Sequence, residues 1–429
     1  MVDSTKSYFF SVIALVLLAS CACNRDDDGG TRGPAAPEPL WSTDLVDEFN
    51  GTTNLGAIDA ALTYGGDIYL SRLGERGGGV LSRIDAETGE KLWDWGDLLR
   101  GLDDRMNISD YVLHDNLLYF VDGRRRYSID LDRGETRWRK EDIQTKSGYL
   151  SSIGDQVFLT GENPNHPSGK QNTIIYRSSF SAGEMIPLLS PNFNPEGLEE
   201  SPSIGGVADL HTYLHEVTGD TLISFVWIQP AGAPDSFTYL RSYLSLYNLS
   251  AGEYVYDGTP IHEVAQTASL RAPIQVVDGR VFLSVRRDLF CHDLATGHRL
   301  WRVRQGGDNL FSGFAVDGDR LVANSEDKLT TCYDVRTGER LWQRQTAGTS
   351  TRIDGRVLNG VVYFAGGSDG ILHAINLDNG RSLWAAPASR YGGADRWLFD
   401  LAAVPGKGDE PGRIVVGTDG KAYCFEAFR

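Results

Sequence analysis

The sequence predicts an all-β chain: an eight-bladed β-propeller of four-stranded antiparallel blades, with the last blade closed by the N-terminal strand. Three observations carry that reading. A short phrase recurs, its copies stand one blade's length apart, and each end of the chain holds part of one further copy. Repetition at a fixed period is the sequence signature of such architectures, because one repeat cannot bury its apolar faces without its neighbours.

The phrase is a short strand ending at Asp or Asn, a turn ending in Gly, and a second strand with Trp four residues after that Gly. It reads Ile84-Asp85-Ala86-Glu87-Thr88-Gly89 up to Trp93, then Ile129-Asp130-Leu131-Asp132-Arg133-Gly134 up to Trp138. Three later copies are His292-Asp293-Leu294-Ala295-Thr296-Gly297 up to Trp301, Tyr333-Asp334-Val335-Arg336-Thr337-Gly338 up to Trp342, and Ile375-Asn376-Leu377-Asp378-Asn379-Gly380 up to Trp384. Two degenerate copies end at Gly183 and Gly252, with Pro187 and Tyr256 where Trp stands elsewhere. The Gly-to-Gly steps are 45, 49, 69, 45, 41 and 42 residues, and a period of about 40–50 residues is that of a four-stranded blade.

Within one period the four strands, a to d, follow from turn chemistry. In the fifth repeat, residues 273–277 read as strand a, Asp278-Gly279 as a hairpin turn, 280–285 as strand b, 289–294 as strand c and 298–304 as strand d. Asp-Gly and Asn-Gly suit two-residue hairpins because both positions tolerate positive φ. Asn359-Gly360 and Asp369-Gly370 mark the a–b and b–c turns of the seventh repeat in the same way.

The ends of the chain complement each other. The last strand, 421–428, aligns Cys424-Phe425-Glu426-Ala427 with Cys332-Tyr333-Asp334-Val335, so the next turn Gly would fall just past Arg429. The eighth blade is therefore expected to lack its own strand d. Near the other end lies Leu40-Trp41, the same pair as Leu92-Trp93, Leu300-Trp301, Leu341-Trp342 and Leu383-Trp384. That strand is expected to fill the vacancy and remove two exposed sheet edges.

Repeat position also assigns the conspicuous side chains. Trp41, Trp93, Trp138, Trp301, Trp342 and Trp384 recur at one position, as rings filling the wedge between neighbouring sheets would. Cys291 and Cys332 each precede their turn Gly by six residues, and Cys424 aligns with them. Packed sheets lie about 10 Å apart, whereas a disulfide needs Cα atoms about 5.5–6 Å apart, so all three read as small buried thiols. His211 and His215 suggest a metal pair, but on a strand they stand about 13 Å apart. No metal site is expected.

The chain divides into a signal segment (1–20), a flexible tether (21–39) and the propeller (40–429). Lys6 precedes an apolar run from Tyr8 to Ala19, shorter than the roughly 20 residues of a membrane-spanning helix. The run ends in Leu18-Ala19-Ser20-Cys21, which resembles the lipobox of bacterial lipoprotein signals. Cys21 is then the lipidated first residue of the mature chain and the membrane is reached through acyl chains. Cys23 stays in the tether, which is polar and rich in Asp, Gly and Pro. With 41% hydrophobic and 23% charged residues and 49 Gly, the rest suits a packed core with many tight turns. A net charge of −17 argues against a nucleic-acid partner, which needs clustered cations.

The repeated phrase resembles that of the quinoprotein-like (PQQ-like) β-propellers, a family that includes the propeller of pyrroloquinoline-quinone dehydrogenases and the outer-membrane assembly lipoproteins of the BamB type. The resemblance covers the chain after the tether. For the dehydrogenases it implies an adjacent Cys-Cys disulfide, a Ca²⁺ site of acidic and amide side chains, and a catalytic Asp. This sequence has no adjacent Cys pair and no stretch that marks a Ca²⁺ cluster, so no catalytic residue and no cofactor is expected. For the BamB type the resemblance implies a non-catalytic scaffold of the bacterial envelope that binds a protein or peptide partner, at the outer membrane. Two rivals are a PQQ-dependent or other small-molecule oxidoreductase using the propeller channel, and a surface lipoprotein binding a ligand or carbohydrate, suggested by Asp26-Asp27-Asp28.

Meander parity places a–b and c–d turns on one face of the ring, and b–c turns and d–a connections on the other. Most long segments fall in the second class. Arg124, Arg125, Arg126, Arg286 and Arg287, with Arg76, also stand at or beside b–c turns against the acidic average. That face is the expected partner-binding surface, since loops held by a rigid scaffold commonly carry recognition.

Overall fold

The computed structural model describes residues 34–49, 52–74, 79–96, 111–122, 125–141, 149–162, 173–191, 206–230, 239–265, 273–307, 313–346, 356–366, 369–391, 396–397, 401–418 and 420–428. Cys21, Arg76, Arg124 and most of the long segments on the expected partner face lie outside them. By contacts the described residues belong to one unit, 33–429.

The unit is an all-β ring of eight antiparallel sheets. Blades 1 to 7 span residues 52–95, 111–141, 150–189, 206–265, 275–304, 314–345 and 357–387. The eighth joins Leu401–Val404, Arg413–Thr418 and Lys421–Glu426 to the N-terminal strand Trp41–Asp44, with Trp41 opposite Cys424 and Asp44 opposite Lys421. Blade 1 carries an extra two-residue strand, Glu48–Phe49, paired with the start of its strand a.

Each blade's inner strands are apolar because both faces are covered by neighbouring blades. Val361–Ala365, strand b of blade 7, is buried at every position, whereas Arg340–Gln345, strand d of blade 6, is alternately exposed. The core is correspondingly divided into eight apolar clusters, each bridging one pair of adjacent blades.

The c–d turns show why the phrase needs its residues. In all seven copies the Gly amide donates to the carbonyl four residues back, for example Gly89 to Asp85 at 2.9 Å and Gly380 to Asn376 at 2.9 Å. The Asp or Asn side chain caps the turn, with Asp334 Oδ1 accepting from the Thr337 amide at 2.8 Å and its hydroxyl at 2.9 Å. The Gly closes it with positive φ, +72° at Gly338 and +70° at Gly380, which side-chain-bearing residues rarely adopt.

The same Gly receives the aromatic ring of the preceding blade. A Cβ at Gly89, Gly134, Gly183, Gly338 or Gly380 would stand 2.6–2.9 Å from the ring of Trp41, Trp93, Trp138, Trp301 or Trp342 respectively. Four of these indoles also donate to the next blade: Trp41 to Ala86 O at 3.1 Å, Trp138 to Phe180 O at 2.6 Å, Trp301 to Val335 O at 2.9 Å and Trp342 to Leu377 O at 2.8 Å. Tyr256 serves in place of Trp against Gly297. Trp384, 2% exposed, packs against Tyr363 and Phe425.

One detail departs from the sequence reading. The stretch 34–38, expected within the tether, lies against blade 7: Ala385 N donates to Pro34 O at 2.9 Å, Ala36 N to Ala385 O at 3.2 Å, and Ala36 is buried. Between blades 3 and 4 no ring docks on Gly252, whose nearest neighbour is Tyr247 Oη at 4.0 Å. That interface is held by Phe158, Trp227 and Tyr243 and by a 2.8 Å hydrogen bond between the Ser151 and Thr212 hydroxyls.

Candidate partner-binding sites

Of the described arginines expected on one face, two stand in blade 2 and two in blade 5. Arg125 and Arg126 open strand c of blade 2 (Arg125–Asp130), while Arg286 and Arg287 form the b–c turn of blade 5, three steps away around the ring. Arg126 corrects the expectation outright. It is 1% exposed, and its guanidinium donates to Gly183 O at 2.7 Å, Tyr119 Oη at 3.0 Å and Ser178 Oγ at 3.2 Å in the blade 2–3 interface. Strand alternation turns Arg126 toward blade 3, and a buried guanidinium needs such partners. Arg125 is half-buried, 3.9 Å from Glu141. Arg287 is exposed, beside Arg286 with φ of +55°.

Next to that turn, Asp288 accepts two hydrogen bonds from Arg302, at 3.1 and 2.9 Å, with His262 Nε2 of blade 4 at 3.5 Å. Burial and the Arg302 charge hold the His262 pKa down. Arg356, just before strand a of blade 7, donates to Ala61 O of blade 1 at 3.3 Å.

A cavity of about 580 Å³ opens on the other face, between blades 4 and 5. Blade 4 consists of Gly206–Leu214, Thr221–Pro230, Tyr239–Asn248 and Glu253–Ala265; blade 5 of Gln275–Val277, Arg280–Val285, Asp288–Asp293 and Arg299–Arg304. Leu222, Leu246 and Leu294 line the cavity's apolar part, and Val255 and Leu300, each 48% exposed, also line it. Asp220, Asp278, Asp293 and Arg280 supply charge. Tyr213, also in the lining, has its pKa raised by burial, so its phenol stays protonated at neutral pH.

Two departures from the repeat meet at this wedge. Tyr256 replaces the docking Trp, and the a–b turn of blade 4 runs through six residues, 215–220, where blade 5 uses Asp278-Gly279. The longer turn copies a c–d turn with His215 in the Asp position. Gly219 N donates to His215 O at 2.8 Å and Thr218 N to His215 Nδ1 at 3.2 Å. His215 is thus a turn cap, and burial holds the pKa of His211 down. Among the described residues no group of three or more His, Cys, Asp or Glu could hold a metal ion. Cys291, Cys332 and Cys424 are buried free thiols whose pKa burial pushes up to about 12.

The fold defines the class: the chain is an eight-bladed β-propeller, and its repeat is similar to that of the PQQ-like propellers. A family model described as outer membrane protein assembly factor BamB matches residues 245–427, less than half of the chain and the part where the repeat is most regular. Comparison with curated proteins returns no match. Among solved structures, BamB from Moraxella catarrhalis is 14% identical with a TM-score of 0.53, over 90% of this chain and 99% of that one. Quinohemoprotein alcohol dehydrogenase from Comamonas testosteroni is 12% identical with a TM-score of 0.58, over 90% and 76%. Sqt1 from Saccharomyces cerevisiae is 9% identical with a TM-score of 0.62, over 92% and 100%. Likeness at such identities is likeness of fold, and this fold serves several activities.

Proposed function

We propose that the chain is a non-catalytic, lipid-anchored scaffold of the bacterial envelope that binds a protein or peptide partner, with a place in outer-membrane protein assembly. The observation that carries the reading is the match of residues 245–427 to the assembly-factor model. Leu18-Ala19-Ser20-Cys21 supplies the anchor, with Cys21 acylated. The exposed Arg287 on one face and the apolar wedge on the other offer two surfaces for a partner.

Co-purification tests the reading. Tagged full-length chain, recovered from detergent-solubilised envelopes, is expected to bring down an envelope protein in near-stoichiometric amount. A chain recovered alone, together with a saturable and substrate-reducible spectrum when mixed with the quinone and Ca²⁺, would replace the scaffold with an oxidoreductase. Cys21→Ser is expected to release the protein from the membrane fraction, and its retention there would remove the anchor from the account.

A further inference from the structure

We infer that the wedge between blades 4 and 5 is a docking pocket for an extended peptide segment that inserts apolar side chains and carries cationic neighbours. The inference rests on the scaffold reading and names the chemistry of one partner segment.

The cavity has an apolar floor in Leu222, Leu246 and Leu294 and an apolar mouth in Val255 and Leu300. Exposed apolar side chains continue past the mouth, since Val217, on the turn whose Thr218 lines the pocket, is 89% exposed. A small molecule enclosed in about 580 Å³ would leave those residues in water. A chain segment laid across the wedge covers them and fills the pocket together, and apolar area removed from water is the main favourable term in such contacts.

Charge selects the class of segment. Three carboxylates, Asp220, Asp278 and Asp293, line the pocket against one guanidinium, Arg280, on a chain of net charge −17. Asp278 is exposed at a turn tip. Such a rim repels an acidic segment and orients a basic one. In an extended segment successive side chains point to opposite sides. Alternating apolar and basic residues therefore present leucines to the pocket and lysines to the rim and solvent.

The wedge differs from its counterparts in a way that supplies a control. Leu341 occupies in blade 6 the position of Leu300 in blade 5 and is similarly exposed at 41%. The wedge it faces is the one where the Trp301 ring docks on Gly338, in the place that the smaller Tyr256 ring takes against Gly297.

The test is fluorescence anisotropy with the full chain and a labelled nine-residue peptide of alternating Leu and Lys, against its Leu–Glu counterpart. The Leu–Lys peptide is expected to bind saturably and at least tenfold more tightly than the Leu–Glu peptide. Leu300→Lys should weaken it at least tenfold, and Asp278→Asn severalfold with a shallower salt dependence. Leu341→Lys should leave it unchanged. All three variants alter exposed positions, so unchanged melting temperatures establish that each is folded. No saturable binding, equal affinity for the two peptides, or equal losses in Leu300→Lys and Leu341→Lys would overturn the inference. Co-purification of an envelope protein unaffected by Leu300→Lys would overturn the pocket and leave the scaffold standing.

Discussion

Gly360 and Gly380 lie in the same blade with the same φ of +70°, so replacing each by Ala separates backbone conformation from blade docking. At Gly360, in the a–b turn, a Cβ meets nothing within 4 Å. Its replacement carries only the left-handed conformation, about 1–2 kcal/mol. At Gly380 the same Cβ would stand 2.7 Å from Trp342 Cδ2 and Cε3. The ring is held against retreat by its 2.8 Å bond to Leu377 O. Overpacking of that kind adds about 1–3 kcal/mol, giving about 2–5 kcal/mol in all. Urea denaturation followed by far-ultraviolet circular dichroism measures both variants. In a Trp342→Ala background, Gly380→Ala should fall to the cost of Gly360→Ala, because the double-mutant cycle removes the contact. Equal costs in the wild-type background, or a Gly380→Ala cost that survives loss of Trp342, would refute docking as the reason for the Gly–Trp spacing.

Other consequences follow from the same contacts. Trp41→Ala should cost about 2–4 kcal/mol, below the roughly 3–5 kcal/mol for a fully buried aromatic because the ring is half-buried, and should speed hydrogen exchange in Lys421–Glu426; unchanged exchange would contradict closure by Trp41–Asp44. With pKa values near 12, Cys291, Cys332 and Cys424 hold about 10⁻⁴ of their thiolate form at pH 8. Mass spectrometry after alkylation should find them unmodified in folded protein and fully modified in urea. Asp334 is held below the usual carboxyl range by the Thr337 hydroxyl and the Thr337 and Arg336 amides. A depressed folded pKa stabilises at neutral pH, and the contribution is lost as pH falls through and below about 4. Asp334→Asn should flatten the fall in stability over that interval, since Asn376 already caps its turn without titrating.

The fold was legible because one contact is written into the repeat. Gly380 and Trp342, 38 residues apart, meet in the ring, and Trp41 meets Gly89 in the same way. The sites were less legible. Arg126 follows a turn in the sequence, but strand c already starts at Arg125, so alternation carries Arg126 beneath Trp138. The wedge belongs to two blades and to no single motif. Its traces were the Tyr at 256 and the span from His215 to Asp220, whose His-x-x-Thr-Gly order repeats the Asp-x-x-Thr-Gly order of the c–d turns. The spacing of His211 and His215 argued against a metal pair, but not that the ring nitrogen of His215 caps a turn.

The scaffold account is tested most directly by photo-crosslinking in living cells, with the reactive residue placed singly at Leu300, Arg287 and Leu341 of the full-length chain. It predicts a discrete adduct to an envelope protein from Leu300 or Arg287 and none from Leu341. Absence of adducts from all three positions, or the same adducts from each, would contradict it.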